Sequence, residues 1–182
     1  MKDIKTRYQE AKKQLAADLA IKNDMAVPAV TKVVINMGTG ETFRNKEAWG
    51  KLQSELAAIA GQKPKIRQAH ISVAGFNLRA GMSVGLSATL RGEKMWSFLE
   101  KLIAIALPRL RDFRGVSVKS FDNSGNYTIG FAEHTVFPEV DIAKIDKPHG
   151  LEVTIVTTAK NPKEGKLLLG LIGMPFEKEE EI

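Results

Sequence analysis

Apolar side chains recur every three or four places at the start of the chain. Ile4, Tyr8, Ala11, Leu15 and Leu19 follow this spacing, with Lys and Gln between them. The spacing predicts an amphipathic helix over 3–20, ended by Asn23 and Asp24. Val27-Pro28 then turns the backbone extended. Residues 30–37 are rich in β-branched side chains and predict a strand. Gly38-Thr39-Gly40 reads as a turn into a second helix, with Trp49, Leu52, Leu56 and Ile59 on one face and Gly61 as its C-cap. Residues 65–71 and 82–91 predict two strands flanking a ten-residue loop, 72–81. Such a length is unusual for a hairpin and common where a loop has a function. A third helix is expected over 93–107, with Met95, Leu99, Leu102 and Ala106 in register, widened by Trp96, Phe98 and Ile103, and stopped by Pro108.

A polar turn at 121–126 opens into a strand over 127–131, and residues 151–158 alternate well enough for another. Asn161-Pro162 starts a short last helix whose apolar side is Leu167, Leu168, Leu171 and Ile172. The order α-β-α-β-β-α-β-β-α is not a βαβ alternation. It predicts an α+β fold: a mainly antiparallel β-sheet with helices packed on one face and a long protruding β-hairpin loop. One domain is expected over 1–182, with an acidic tail at 177–182.

Composition narrows the function classes. The chain has 182 residues, 43% apolar and 26% charged, an ordinary globular mix. It contains no Cys, which excludes a disulfide framework, a thiol nucleophile and a Cys-based zinc site, and fits a reducing cytoplasm. No apolar run approaches the ~18 residues that span a bilayer, and the first residues lack the apolar core of a signal peptide. No membrane partner is expected. Charge is unevenly spread. Residues 1–62 carry +3, residues 63–119 carry +8 and residues 120–182 carry −5, within a net +6. A basic middle third favours a polyanionic partner such as nucleic acid.

Catalytic and ligand motifs fail on spacing. Gly38-x-Gly40 lacks the third glycine of a dinucleotide fingerprint, because position 43 is Phe43. Gly92-Glu93-Lys94 lacks the upstream glycine of a P-loop. Asp122, Ser124, Asn126 and Glu133 fit four positions of a calcium loop, but Tyr127 stands where glycine must be. His70, His134 and His149 form no i, i+4 pair. Glu133 and His134 are expected on opposite faces of a strand, with His134 at the surface. No catalytic residue, metal or cofactor is expected.

RNA-like features remain. Lys63, Lys65 and Arg67 alternate, so their side chains share one strand face, which suits a phosphate backbone or a solvated edge. Arg91 ends the next strand. Phe76 and Arg79 sit near a glycine-flanked loop tip; Phe76 either stacks on a base or folds into the core. Arg109, Arg111 and Arg114 follow the third helix, where one arginine would serve the helix dipole and three exceed that need. An RNA-modifying enzyme with 72–81 as a lid would need an acid, base or metal constellation, and none is found. A purely protein-binding module would use the acidic last third.

These stretches together resemble a known family. Ile35-Asn36-Met37-Gly38-Thr39-Gly40-Glu41, Gly61-Gln62-Lys63-Pro64, Ser72-Val73-Ala74-Gly75-Phe76, Leu90-Arg91-Gly92-Glu93-Lys94-Met95-Trp96, 107–115, 120–122, 125–127, 137–139 and 157–159 occur in the order seen in bacterial large-subunit ribosomal protein five, the 5S rRNA-binding protein of the central protuberance. The resemblance covers about 25–176. It implies a non-enzymatic α+β protein of the cytoplasmic ribosome that helps attach 5S rRNA. It implies further contacts with other large-subunit rRNA and proteins, with a small-subunit head protein through 133–150, and with peptidyl-site tRNA. Outside the ribosome it implies a monomer. By the same resemblance Asn36, Gln62 and Thr89 contact 5S rRNA, with Lys63, Lys65, Arg67 and Arg91 supplying charge. Ser72, Gly75, Phe76 and Arg79 belong to the tRNA-facing loop, and Arg109, Arg111 and Arg114 are possible further RNA contacts. His70 and Asn77 stand where the family usually carries Lys.

Overall fold

Asparagine side chains start two of the helices, and left-handed glycines end them. In a computed structural model, described for residues 4–40, 45–111, 113–141, 143, 145 and 147–177, Asn45 accepts the N–H groups of Glu47 and Ala48 at the start of α2 (Lys46–Ala60), and Gly61 ends it at φ +62°. Asn161 accepts the Glu164 N–H at the start of α4 (Pro162–Ile172), with proline in the first turn and Gly173 at φ +112° as the cap. The other helices are α1 (Ile4–Asp18) and α3 (Gly92–Lys101). Five strands, β1 (Val30–Gly38), β2 (Lys65–Gln68), β3 (Ser83–Leu90), β4 (Tyr127–Phe131) and β5 (Leu151–Thr157), form one antiparallel sheet of order β2-β3-β1-β5-β4. The fold is α+β, as the element order predicts.

The described residues group into two compact units. One comprises residues within Met1–Val33, Arg91–Ile129 and Thr154–Ile182. There α1 packs on α3 and α4, burying Ile4, Ala11 and Leu15. Tyr8 stacks on Trp96 with ring centroids 4.7 Å apart, and Lys5 bonds the Glu93 carboxylate. Phe121, Tyr127 and Phe176 form an aromatic cluster. The Tyr127 hydroxyl donates to the Ser117 carbonyl at 2.7 Å, and burial pushes its pKa up to about 12. The second unit comprises residues within Val34–Leu90 and Gly130–Val153. In it α2 packs against β3, and Ile35, Met37, Leu86, Ala88 and Leu90 are buried.

Four local expectations change. First, α1 ends before Asn23. The Ala20 N–H bonds Ala17 and the Ile21 N–H bonds Ala16, with Ala20 left-handed at φ +51°. This is a Schellman turn built on alanine where glycine is normal. Ala20→Gly should therefore raise stability by up to about 1 kcal/mol, the left-handed penalty less glycine's entropy cost; equilibrium urea unfolding would measure it.

Second, Pro108 does not stop the third helix. After Lys101 the ladder widens to a π turn at Leu102–Ala106, where the Leu107 N–H reaches the Leu102 carbonyl, and a 3-10 turn at Leu107–Arg109 carries the proline. Widening removes the clash between the proline ring and the carbonyl four residues back. Third, α4 buries Gly165, Leu168, Leu169 and Ile172, leaving Leu167 exposed and Leu171 half-buried. Fourth, β2 stops at Gln68, three residues early, at a register shift between Arg67 and Gln68. The acidic tail beyond Glu177 lies outside the described residues.

Candidate nucleic-acid interface

Sheet register in the second unit sets the candidate residues in rows. Lys65 pairs with Ser87 and Arg67 with Gly85. The Thr39 N–H donates to the Val84 carbonyl at 3.2 Å. That bond sets β1 against β3 so that Met37 and Ile35 face Leu86 and Ala88 on the buried side. Asn36 then falls opposite Ser87 on the other side. The Asn36 Nδ2 donates to Glu152 Oε2 on β5 at 3.3 Å. One row across this open face is Lys65, Ser87, Asn36, Glu152; the next is Arg67, Gly85, Gly38.

One edge of the face carries exposed cations. Lys63, Lys65 and Arg67 are exposed, and Arg67 Nε donates to Ser87 Oγ at 2.7 Å. Ser87 is only 6% exposed, so it is a fixed post for the guanidinium. A bond at Nε leaves the terminal amino groups to meet a phosphate. Gly38 and Gly85 put no side chains on the adjoining row. A Cβ on Gly38 would meet nothing within 4 Å, whereas one on Gly85 would lie 3.2 Å from the Met37 carbonyl oxygen. Gln62 Nε2 donates to the Thr89 carbonyl at 3.3 Å, so these two candidates are joined.

The loop between β2 and β3 is folded on itself. Val73 and Leu78 exchange both backbone bonds, 3.0 and 3.1 Å, around a 3-10 turn at Ala74–Phe76, with Gly75 at its centre and Asn77 left-handed at φ +53°. Phe76 is 74% exposed, which decides against a place in the core. Arg79 is exposed as well, while the Ser72 hydroxyl accepts the Ala80 N–H at 2.9 Å and has a structural task. Arg91, Arg109, Arg111 and Arg114 are all exposed but belong to the first unit, whereas Lys63, Lys65 and Arg67 belong to the second.

Histidine 134 is not at the surface. Strand β4 ends at Phe131, and His134 begins a 3-10 turn that buries its ring completely. The His149 N–H reaches its Nδ1 at 3.0 Å and Glu55 Oε2 lies 3.2 Å from its Nε2. Burial, then the charges of His134 and Lys147, hold the His149 pKa below the ordinary histidine value. The Asp122 carboxylate is taken by Asn126 and Ser124, which lock the turn before β4. The Asn126 amide, its foremost partner, draws its pKa down. No group of three or more acids and histidines suited to a metal occurs among the described residues.

Two family models match the chain. A family model described as ribosomal protein L5 matches residues 23–79, and a second model, describing the C-terminus of the same ribosomal family, matches residues 83–176. The chain belongs to the ribosomal protein L5 family. A relative from Dehalococcoides mccartyi strain 195, named large ribosomal subunit protein uL5, is 54% identical over 98% of this chain and 100% of its own. Proteins of the same name from Symbiobacterium thermophilum and Nocardia farcinica are 51% and 49% identical, over 97% and 96% of this chain and 98% and 94% of theirs. As an L5-family member the chain is a structural constituent of the large subunit of the cytoplasmic ribosome and not an enzyme. Ser87 and Glu152 were missing from the sequence-based site. Only strand register brings them to Arg67 and Asn36, and no local motif encodes register.

Proposed function

We propose that this L5-family chain binds 5S rRNA through the open sheet face of its second unit and helps attach it in the central protuberance. Phosphates lie along Lys63, Lys65 and Arg67, while Asn36, Gln62 and Thr89 meet sugars and bases. Arg91 adds charge, and Arg109, Arg111 and Arg114 contact further rRNA. The single observation carrying this reading is the pair of adjoining rows in which Lys65, Arg67, Asn36 and the bare Gly38 are all exposed on one face. Exposed Phe76 and Arg79 suit stacking against peptidyl-site tRNA, with Ser72 and Gly75 shaping the loop. The acidic segment at 133–150 suits a basic protein of the small-subunit head. Outside the ribosome the chain is a monomer of one domain.

Gly38→Gln tests the face itself. The site is open and its φ is not left-handed, so the fold should tolerate the side chain. Its thermal midpoint should stay within a few degrees of the parent. A side chain projecting from the docking row should weaken 5S rRNA binding at least tenfold in a filter titration. Unchanged affinity would move the RNA to another surface.

A further inference from the structure

An asparagine amide has a donor end and an acceptor end of nearly the same shape, so an exposed one can turn either way. Asn36 is exposed on β1, but its neighbour across to β5 is a carboxylate. An ionised carboxylate only accepts, so the nitrogen must face Glu152, as the 3.3 Å contact has it. The amide oxygen is then turned away from β5. We infer that Glu152 is a positioning residue that locks the Asn36 amide, so that Asn36 presents an acceptor and recognises a hydrogen-bond donor on the RNA.

The inference rests on the 5S rRNA reading and sharpens it. The donors on the minor-groove side of an RNA helix are the ribose 2′-hydroxyl and the guanine amino group. Phosphate offers none. Glu152 adds repulsion to the same effect, since a carboxylate at one end of the row and Lys65 at the other give the face a polarity. Phosphates are drawn to the β2 edge and kept from the β1–β5 side. The strand of RNA over Lys65 and Arg67 is thereby fixed in register against the donor over Asn36.

A double-mutant cycle with 5S rRNA tests this. Asn36→Ala should weaken binding roughly 10- to 100-fold and Glu152→Ala about tenfold. If Glu152 acts through Asn36, the double variant should bind no more than about twofold worse than Asn36→Ala. Glu152→Gln keeps the size but adds a donor end, so it no longer fixes the Asn36 amide and should lose binding about as Glu152→Ala does; parent-like binding by Glu152→Gln would overturn the inference. Single 2′-deoxy and inosine substitutions, scanned through the nucleotides the protein protects, separate the two donors. At least one should weaken the parent and leave Asn36→Ala unaffected. Unchanged or tighter binding by Glu152→Ala, multiplied losses in the double variant, or no sensitive nucleotide would each overturn the inference. If the parent shows no preference for 5S rRNA at all, the binding reading itself fails, a distinct result.

Discussion

Replacing Lys65 and Arg67 together by Gln should weaken 5S rRNA binding roughly 60-fold at 0.1 M salt. The estimate takes about 0.9 counterion released per phosphate contact, with 1 M salt as the reference where that contribution vanishes. The slope of log K against log salt should become shallower by about 1.8. Both side chains are exposed on the edge strand and the change removes one structural hydrogen bond, Arg67 to Ser87, so the sheet should keep its pairing. The signature lies in the salt dependence. A loss of the same size at every salt concentration would mean that these cations do not meet phosphates. Lys63→Gln, added as a third change, should shift the slope by about 0.9 more.

Gly165→Ala should have the opposite profile, with stability lost and the RNA face intact. Its Cβ would sit 2.5 Å from the Gly125 carbonyl oxygen and 3.0 Å from Phe121 Cε1. The Gly125 backbone cannot yield. Its N–H donates to the Asp122 carbonyl at 3.1 Å, and its own carbonyl accepts the Thr157 hydroxyl at 2.9 Å. Overpacking against fixed backbone costs about 3 kcal/mol, and the better helix propensity of alanine returns about 1. A net loss of about 2 kcal/mol corresponds to a fall of roughly 4–8 °C in Tm at this chain length. Calorimetry would measure it. Strands β1, β4 and β5 each run through both units, so a single transition is the outcome expected of one domain. An unchanged Tm would show that the Asp122 turn gives way.

Local chemistry was legible in the sequence where it is strong. Asn161-Pro162 and Gly61 marked helix ends to the residue, because capping needs only neighbours along the chain. The run of β-branched side chains at 30–37 marked β1, since such side chains fit a pleated, half-buried strand. Three things escaped, one through a local change of helix type and two through distant contacts. Pro108 stays within helical backbone because the ladder upstream widens. His134 is buried because Glu55 and the His149 backbone come to its ring from far along the chain. Of the candidate site, the exposed cations Lys63, Lys65 and Arg67 were legible from alternation, and Asn36, Gln62 and Thr89 only from family resemblance. Ser87 and Glu152 depend on which strand lies beside which, and that is a property of the whole sheet.

The most direct test of the central claim compares two RNAs at one fixed salt concentration. The protein is titrated against 5S rRNA and against an unrelated structured RNA of the same length in a filter-binding assay. Recognition by fixed groups on the sheet face predicts at least 10²-fold tighter binding to 5S rRNA, within the usual range separating specific from non-specific nucleic-acid binding or just below it. Equal affinities for the two would contradict it, leaving only a basic surface that any RNA can meet.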